Sequence, residues 1–212
     1  MPNIDLAAGN ELVAPALQAR SRRSLERITT AAELILRREG PDGFSVAAVA
    51  EVSGISVGGI YARVKGKREL FDLVKLSATA RLVEKIKARL KSCTDNPEQV
   101  ISGFLDALCA EFARNESLHR ALFSPGLTSL LSHQHGRDNR KRSLTIFAEA
   151  MVVAHPDLAT VEMRDVELIA DMPISYLIKS LSEPPEDLDW AWIETSLRMT
   201  AMAHYEALVK KL

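Results

Sequence analysis

The sequence predicts an all-α protein made of a small basic N-terminal module and a larger acidic helical body. Apolar residues recur at helical spacing from Ser21 onward, and no alternating, strand-like run exceeds four residues. The charge divides along the chain as well. The 212 residues carry 27 basic and 28 acidic side chains, a net −1. Residues 20–91, however, hold 16 basic and 8 acidic side chains, a balance of +8, while residues 92–212 hold 11 and 18, a balance of −7. A split of that sign and size fits a module that meets a polyanion, joined to a body that does not.

Composition bounds the rest. With 47% apolar and 26% charged residues, the chain can bury a core and is not disordered throughout. No apolar run approaches the roughly 18–20 residues that span a bilayer, and Met1 is not followed by a basic stretch and a signal-type apolar core. The expectation is a soluble, cytoplasmic protein with no membrane partner. Two cysteines, Cys93 and Cys109, are too few for a disulfide scaffold or a four-ligand zinc site and read as buried free thiols.

Residues 1–19 mix Pro2, Gly9, Asn10 and Pro15 with scattered Leu and Val, which reads as a mobile arm with at most one helical turn. Leu25, Ile28, Ala32 and Ile35 then predict a first helix over about 21–39, stopped by Gly40-Pro41. Ser45 is placed as the N-cap of a short helix over 46–52, with Phe44 and Val49 flanking it as a hydrophobic staple. Gly54 supplies the turn after it. The same signals repeat at once: Ser56 caps, Ile55 and Ile60 staple, and Val57–Arg63 forms a second short helix. Two capped short helices about a tight glycine turn are the grammar of a helix-turn-helix.

Lys65-Gly66-Lys67 breaks that helix, and a long one from Glu69 to about 91 links the basic module to the body. Beyond Asn96-Pro97 the pattern predicts helices at about 97–114, 117–133, 138–154, 160–181 and 186–211. The breaks fall at Asn115-Glu116, His135-Gly136, His155-Pro156 and Ser182-Glu183-Pro184-Pro185. Pro173 should kink the 160–181 helix or mark a boundary within it. The resulting domains are an arm at 1–19, a helix-turn-helix at 20–66, a linking helix at 67–91 and a body at 92–212.

The second short helix starts with Ser56-Val57-Gly58-Gly59, whose free N–H groups and partial positive charge face any approaching anion. Gly58 and Gly59 keep its surface flat enough for a major groove. Tyr61, Arg63, Lys65 and Lys67 follow as phosphate contacts, and Arg20, Arg22 and Arg23 precede the first helix as a basic arm toward the backbone or minor groove.

Residues 21–75 thus resemble the DNA-binding domain of tetracycline-repressor-type (TetR-family) transcriptional regulators. The resemblance is carried by Thr30–Leu36, Arg38-Glu39-Gly40, Phe44–Ala50, Ser53–Tyr61 and Lys67–Phe71, about a quarter of the chain. It implies a homodimer on double-stranded DNA in which the helix at 56–62 reads the major groove while Ser45, Tyr61 and Lys67 hold phosphates. It also implies a C-terminal domain that binds a small-molecule inducer and dimerises through its last two long helices. Two positions depart from the common pattern. Tyr61-Ala62-Arg63-Val64 stands where Tyr-x-His-Phe is usual, and Gly59 where many members carry a base-reading side chain.

Plainer readings compete with each sharp one. The glycines at 54, 58 and 59 lack the preceding strand and the Gly-Lys-Ser/Thr of a phosphate loop. His133 and His135, two apart, point to different sides of a helix and read as loop residues, not metal ligands. No catalytic motif, cofactor signature or metal site is present, so a non-enzyme is expected. In the body, Phe104, Leu108, Phe112, Phe123, Phe147, Met151 and Tyr176 sit at helical spacing and are core candidates first; the implied pocket makes them ligand-binding candidates. Leu168, Met172, Leu188, Trp192, Thr195, Met199 and Met202 on the last two helices are the dimer-interface candidates. The alternative is a non-catalytic helical scaffold whose basic N-terminal face meets an acidic partner.

Overall fold

The computed structural model describes residues 6–93, 96–124, 130–182 and 188–212, with backbone alone for 6–19 and 130–133. Every regular element among these residues is helical. The chain divides into two compact units, Met1–Val74 and Lys75–Leu212.

The first unit holds α1 (Leu6–Gly43), α2 (Val46–Ser53), α3 (Val57–Tyr61) and the opening turns of α4 (Lys67–Leu90). Helix α1 begins at Leu6, so Arg20, Arg22 and Arg23 lie within a helix and not on an arm preceding one. Gly9 and Pro15 are outweighed by the good helix formers between and after them, Ala, Leu, Gln and Arg. Gly40 breaks α1 where expected, with φ 67° and ψ −167°, a conformation closed to side chains bearing a Cβ. Helix α3 ends at Tyr61, two residues sooner than the sequence suggests, because Arg63 N–H turns back to the Ile60 carbonyl. The core of this unit gathers Ile28, Ile35 and Leu36 from α1, Phe44 and Val49 around α2, Ile60, Val64, and Leu70, Phe71 and Val74 from α4. Phe44 and Phe71 meet edge to face at 6.3 Å.

The second unit holds the remainder of α4, then α5 (Pro97–Arg114), α6 (Glu116–Phe123), α7 (Leu130–Ala154), a 3-10 turn (Pro156–Thr160), α8 (Met163–Ser182) and α9 (Trp190–Val209). Asn96 caps α5 through a 2.8 Å bond from Glu98 N–H, with Pro97 in the first turn. Asp189 caps α9 through Trp192 N–H. Around Phe104, Leu108, Phe112, Phe147, Met151, Ile169 and Leu177, α5, α7, α8 and α9 close a single apolar core.

Two sequence expectations change in this unit. The 117–133 helix ends at Phe123, and α7 runs from Leu130 straight through His135-Gly136, where a break and a loop were expected. One glycine in a helix interior costs about 1 kcal/mol against alanine. Burying Phe147, Ala148 and Met151 of the same helix more than offsets it. Pro173 lies inside α8, which continues on both sides of it without the Pro173 N–H bond. The break expected around Glu183-Pro184-Pro185 lies outside the described residues.

Candidate nucleic-acid interface and apolar cavity

The helix-turn-helix is assembled by caps. Ser45 Oγ accepts from Ala48 N–H at 3.1 Å and Ser56 Oγ from Gly59 N–H at 3.1 Å, so each serine satisfies an orphan donor at a helix start. Gly54, at φ 65°, closes α2 with its N–H on the Ala50 carbonyl. Arg27 Nη2 donates to the Ser53 carbonyl at 2.6 Å, which ties α1 to the end of α2. Ile60 is fully buried and fixes the inner side of α3.

The outer side of α3 is free of the fold. Ser56, Val57, Gly58 and Tyr61 are exposed, Tyr61 by 54%. A Cβ on Gly58 would meet nothing within 4 Å, whereas one on Gly59 would stand 3.0 Å from Ile55 Cγ2 and 3.1 Å from Ser56 Oγ. Gly58 is therefore open, whereas a Cβ on Gly59 would ask its neighbours to give by a few tenths of an ångström.

The basic side chains divide in the same way. Arg22, Arg23 and Lys65 are exposed. Arg63 is half-buried and donates from Nη1 to the Gly59 carbonyl at 2.7 Å, which makes it a clasp on the end of α3. Lys67 is exposed, with Nζ 3.3 Å from the Pro41 carbonyl at the turn after Gly40. Ser45 Oγ is half-buried in its cap. The sequence placed these groups together but could not distinguish those that serve the fold from those that face outward.

The second unit contains a cavity of about 560 Å³, within the usual range for small-molecule sites. Leu82, Val83 and Ile86 of α4, Leu108 and Phe112 of α5, Phe123 of α6, and Ile174 and Ile178 of α8 form its apolar wall. Lys75 and Thr79 of α4, with Gly136, Arg137, Asn139, Arg140 and Ser143 of α7, form the polar part. Of the ligand-binding candidates, Leu108, Phe112 and Phe123 line this space. Phe104, Phe147 and Met151 are packed in the core instead, and Tyr176 stands exposed on α8. Helical spacing marks the buried side of a helix but not whether a neighbour or a void lies opposite. Gly136, Asn139 and Lys75 were missed because polar and glycine residues carry no apolar period.

Behind the apolar wall sits a buried polar cluster. The His119 ring, 1% exposed, stacks on Phe112 at 4.4 Å and lies nearly parallel to Phe123 at 6.0 Å. Glu111 accepts from Asn115 Nδ2 at 2.7 Å and from Lys85 Nζ. Its other neighbour, His119 Nε2, stands at 3.9 Å, an electrostatic approach and not a hydrogen bond. Burial alone would raise the Glu111 carboxyl, but His119 and Lys85 outweigh it and hold the group down at about 2.

On the outside of the second unit, Leu168, Met172 and Tyr176 repeat every four residues along α8 and are all exposed. Trp192, Thr195 and Met199, three and four residues apart on α9, are exposed as well, Trp192 by 60% and Met199 by 69%. Leu188 and Met202 instead pack against the core.

The N-terminal unit therefore holds a capped helix-turn-helix with an exposed second helix, and the second unit holds a cavity. Residues 28–74 match the sequence model of the bacterial regulatory proteins of the tetR family. Residues 28–74 are thus similar to the DNA-binding domain of tetR-family regulators, which supports a DNA-binding regulator. No curated protein matches the chain significantly. Solved structures share the fold along most of its length. The fatty acid degradation regulator FadR from Bacillus halodurans is 16% identical, with a TM-score of 0.64 over 84% of this chain and 94% of that one. A TetR transcriptional regulator from a Rhodococcus species is 16% identical, with a TM-score of 0.61 over 86% and 96%. A TetR family transcription regulator from Marinobacter aquaeolei is 16% identical, with a TM-score of 0.57 over 88% and 97%. Among the described residues, no helix is long and apolar enough to cross a membrane.

Proposed function

We propose that the protein is a homodimeric, cytoplasmic, non-enzymatic repressor released from its operator by a small, largely apolar ligand. The exposed face of α3 carries the DNA-binding part of this reading. Val57, Gly58 and Tyr61 are exposed and take no part in the fold's caps, and Ser56 beside them is exposed while its hydroxyl caps α3. In a dimer, two such helices enter major-groove segments about 34–36 Å apart, with phosphate contacts from Tyr61, Lys65, Lys67, Arg22 and Arg23. The exposed apolar rows on α8 and α9 supply the surface for the second copy, since Trp and Met are enriched where interfaces bury their centres.

Release works through α4. Its opening turns belong to the DNA-binding unit, and five of its later residues, from Lys75 to Ile86, line the cavity. A ligand that binds one arrangement of α4 better than another shifts the spacing of the two recognition helices by that difference in affinity.

Gel-shift titration on DNA upstream of the protein's own gene tests the reading. Binding should weaken steeply with salt, and Tyr61→Ala and Lys67→Ala should each weaken it on every sequence. Unchanged affinity in both variants overturns the placement of the interface. The absence of any salt-dependent complex instead favours a scaffold with a basic face. Light scattering should give a dimer for the parent chain and a monomer for Trp192→Asp combined with Met199→Asp.

A further inference from the structure

The face that α7 turns to the cavity differs in kind from the others. Gly136, Asn139, Arg140 and Ser143 line the space, and at helical spacing they form one stripe about two turns long. Helices α4, α5 and α8 contribute the aliphatic and aromatic lining, Leu82, Ile86, Leu108, Phe112, Ile174 and Ile178 among it.

Asn139 is the member of this stripe whose hydrogen bonding is incomplete. It is only 8% exposed, and its Nδ2 donates to Thr79 Oγ1 at 2.8 Å. The Thr79 hydroxyl gives its own proton to the Lys75 carbonyl at 2.8 Å, so it meets Asn139 as an acceptor. That fixes the amide, with Nδ2 toward Thr79 and Oδ1 away from it. Among the described residues nothing bonds Oδ1 or the second N–H of Nδ2. Buried polar groups are as a rule paired, and the space that Asn139 borders is the cavity, so the missing partner is the molecule that fills it.

The other polar members of the stripe are already engaged. Arg140 donates from Nε to Asp171 at 2.6 Å and from Nη2 to Ser175 Oγ. Ser143 Oγ donates to the Asn139 carbonyl at 3.1 Å. What remains open is the donor and acceptor of one amide. A carboxylate has no proton for Oδ1, and an ammonium has no acceptor for the N–H. An uncharged group with a donor and an acceptor side by side, as in a carboxamide or a lactam, satisfies both.

We propose, resting on the ligand-release reading, that Asn139 is the specificity-determining residue of the cavity. Its natural partner is an uncharged, mainly apolar molecule bearing one carboxamide- or lactam-type edge. That edge pairs with Asn139, and the apolar body lies against the side chains of α4, α5 and α8.

Calorimetry on the full chain tests this with two apolar bodies, a nonyl chain and a naphthyl ring, each carrying a carboxamide, a methyl ketone or a carboxylate. The methyl ketone has the shape of the carboxamide and lacks its donor. Each body that binds should do so about tenfold more tightly as the carboxamide than as the ketone, with the carboxylate no better than the ketone. Asn139→Leu, close in volume, should abolish the carboxamide's advantage and leave ketone affinity unchanged. The ratio in the parent chain is read without any variant, so a poorly folded Asn139→Leu leaves the test standing. Equal binding of carboxamide and ketone, or an advantage that survives Asn139→Leu, overturns the role of Asn139 while leaving an apolar ligand in place. Tighter binding of the carboxylate overturns the uncharged head. Failure of all six probes overturns the ligand-release reading as well.

Discussion

The two units solve the same packing problem with opposite treatments of their polar groups. In the N-terminal unit the polar atoms used by the fold lie near the surface: Ser45 and Ser56 cap helices, Arg27 holds the Ser53 carbonyl, and Arg63 holds that of Gly59. In the C-terminal unit, Glu111, Asn115, His119 and Asn139 are buried, and Asn139 lines the cavity. In the first unit the capping bonds are local along the chain, as Ser45 to Ala48 and Ser56 to Gly59 show, whereas in the second Lys85 with Glu111 and Thr79 with Asn139 join helices far apart in sequence. Local bonds fix the shape of one turn, and distant ones fix how helices sit against each other.

The sharpest way to break this comparison is through the cores. Phe71→Ala should cost about 3–5 kcal/mol. Because Phe71 packs on Phe44 within the first unit, hydrogen exchange should rise in α1 to α3 well before α5 to α9. Uniform loss of protection across both units would show that they do not unfold separately.

A second test uses Glu111. Its carboxyl is depressed in the folded state, so it contributes stability above the ordinary carboxylate range near 4.5, and that contribution is lost as pH falls toward about 2. The loss should amount to on the order of 2 kcal/mol. Denaturant titrations at pH 5 and pH 3 should show it, and Glu111→Gln should flatten the dependence. An equal pH dependence in that variant would move the effect to another group.

Caps should matter less. Ser45→Ala should lower stability by about 1 kcal/mol, seen as a fall in denaturation midpoint, whereas Ser45→Gly should cost only a few tenths. The smallest effect is chemical. Burial, with Glu194 nearby, pushes the Cys109 thiol up to about 12. Maleimide labelling of Cys109 at pH 8 should therefore be absent from the native protein and complete after unfolding.

The N-terminal unit was legible because its structure is written locally. Ser45, Gly54 and Ser56 act on atoms two to four residues away, so their spacing in the sequence is their spacing in space. The cavity was not legible, because it depends on contacts such as Thr79 with Asn139, sixty residues apart. Leu108, Phe112 and Phe123 were named for their apolar spacing, which Phe104, Phe147 and Met151 share while filling the core. Gly136 was misplaced as a break because glycine signals a turn by default, and only the packing of the rest of α7 keeps it helical. The start of α1 was misjudged for a similar reason, with Gly9 and Pro15 given more weight than the helix formers around them.

Gly58 and Gly59 are neighbours with different surroundings. A Cβ at 58 meets open space, while one at 59 stands 3.0 Å from Ile55 Cγ2 and 3.1 Å from Ser56 Oγ, so its neighbours would have to give by a few tenths of an ångström. Side chains at 57 and 58 can therefore be exchanged without disturbing the cap or the Ile60 anchor. Under the proposed DNA-binding role, a library randomised at these two positions should yield folded proteins that differ in sequence preference, and Gly59→Ala should fold with only a small change in stability.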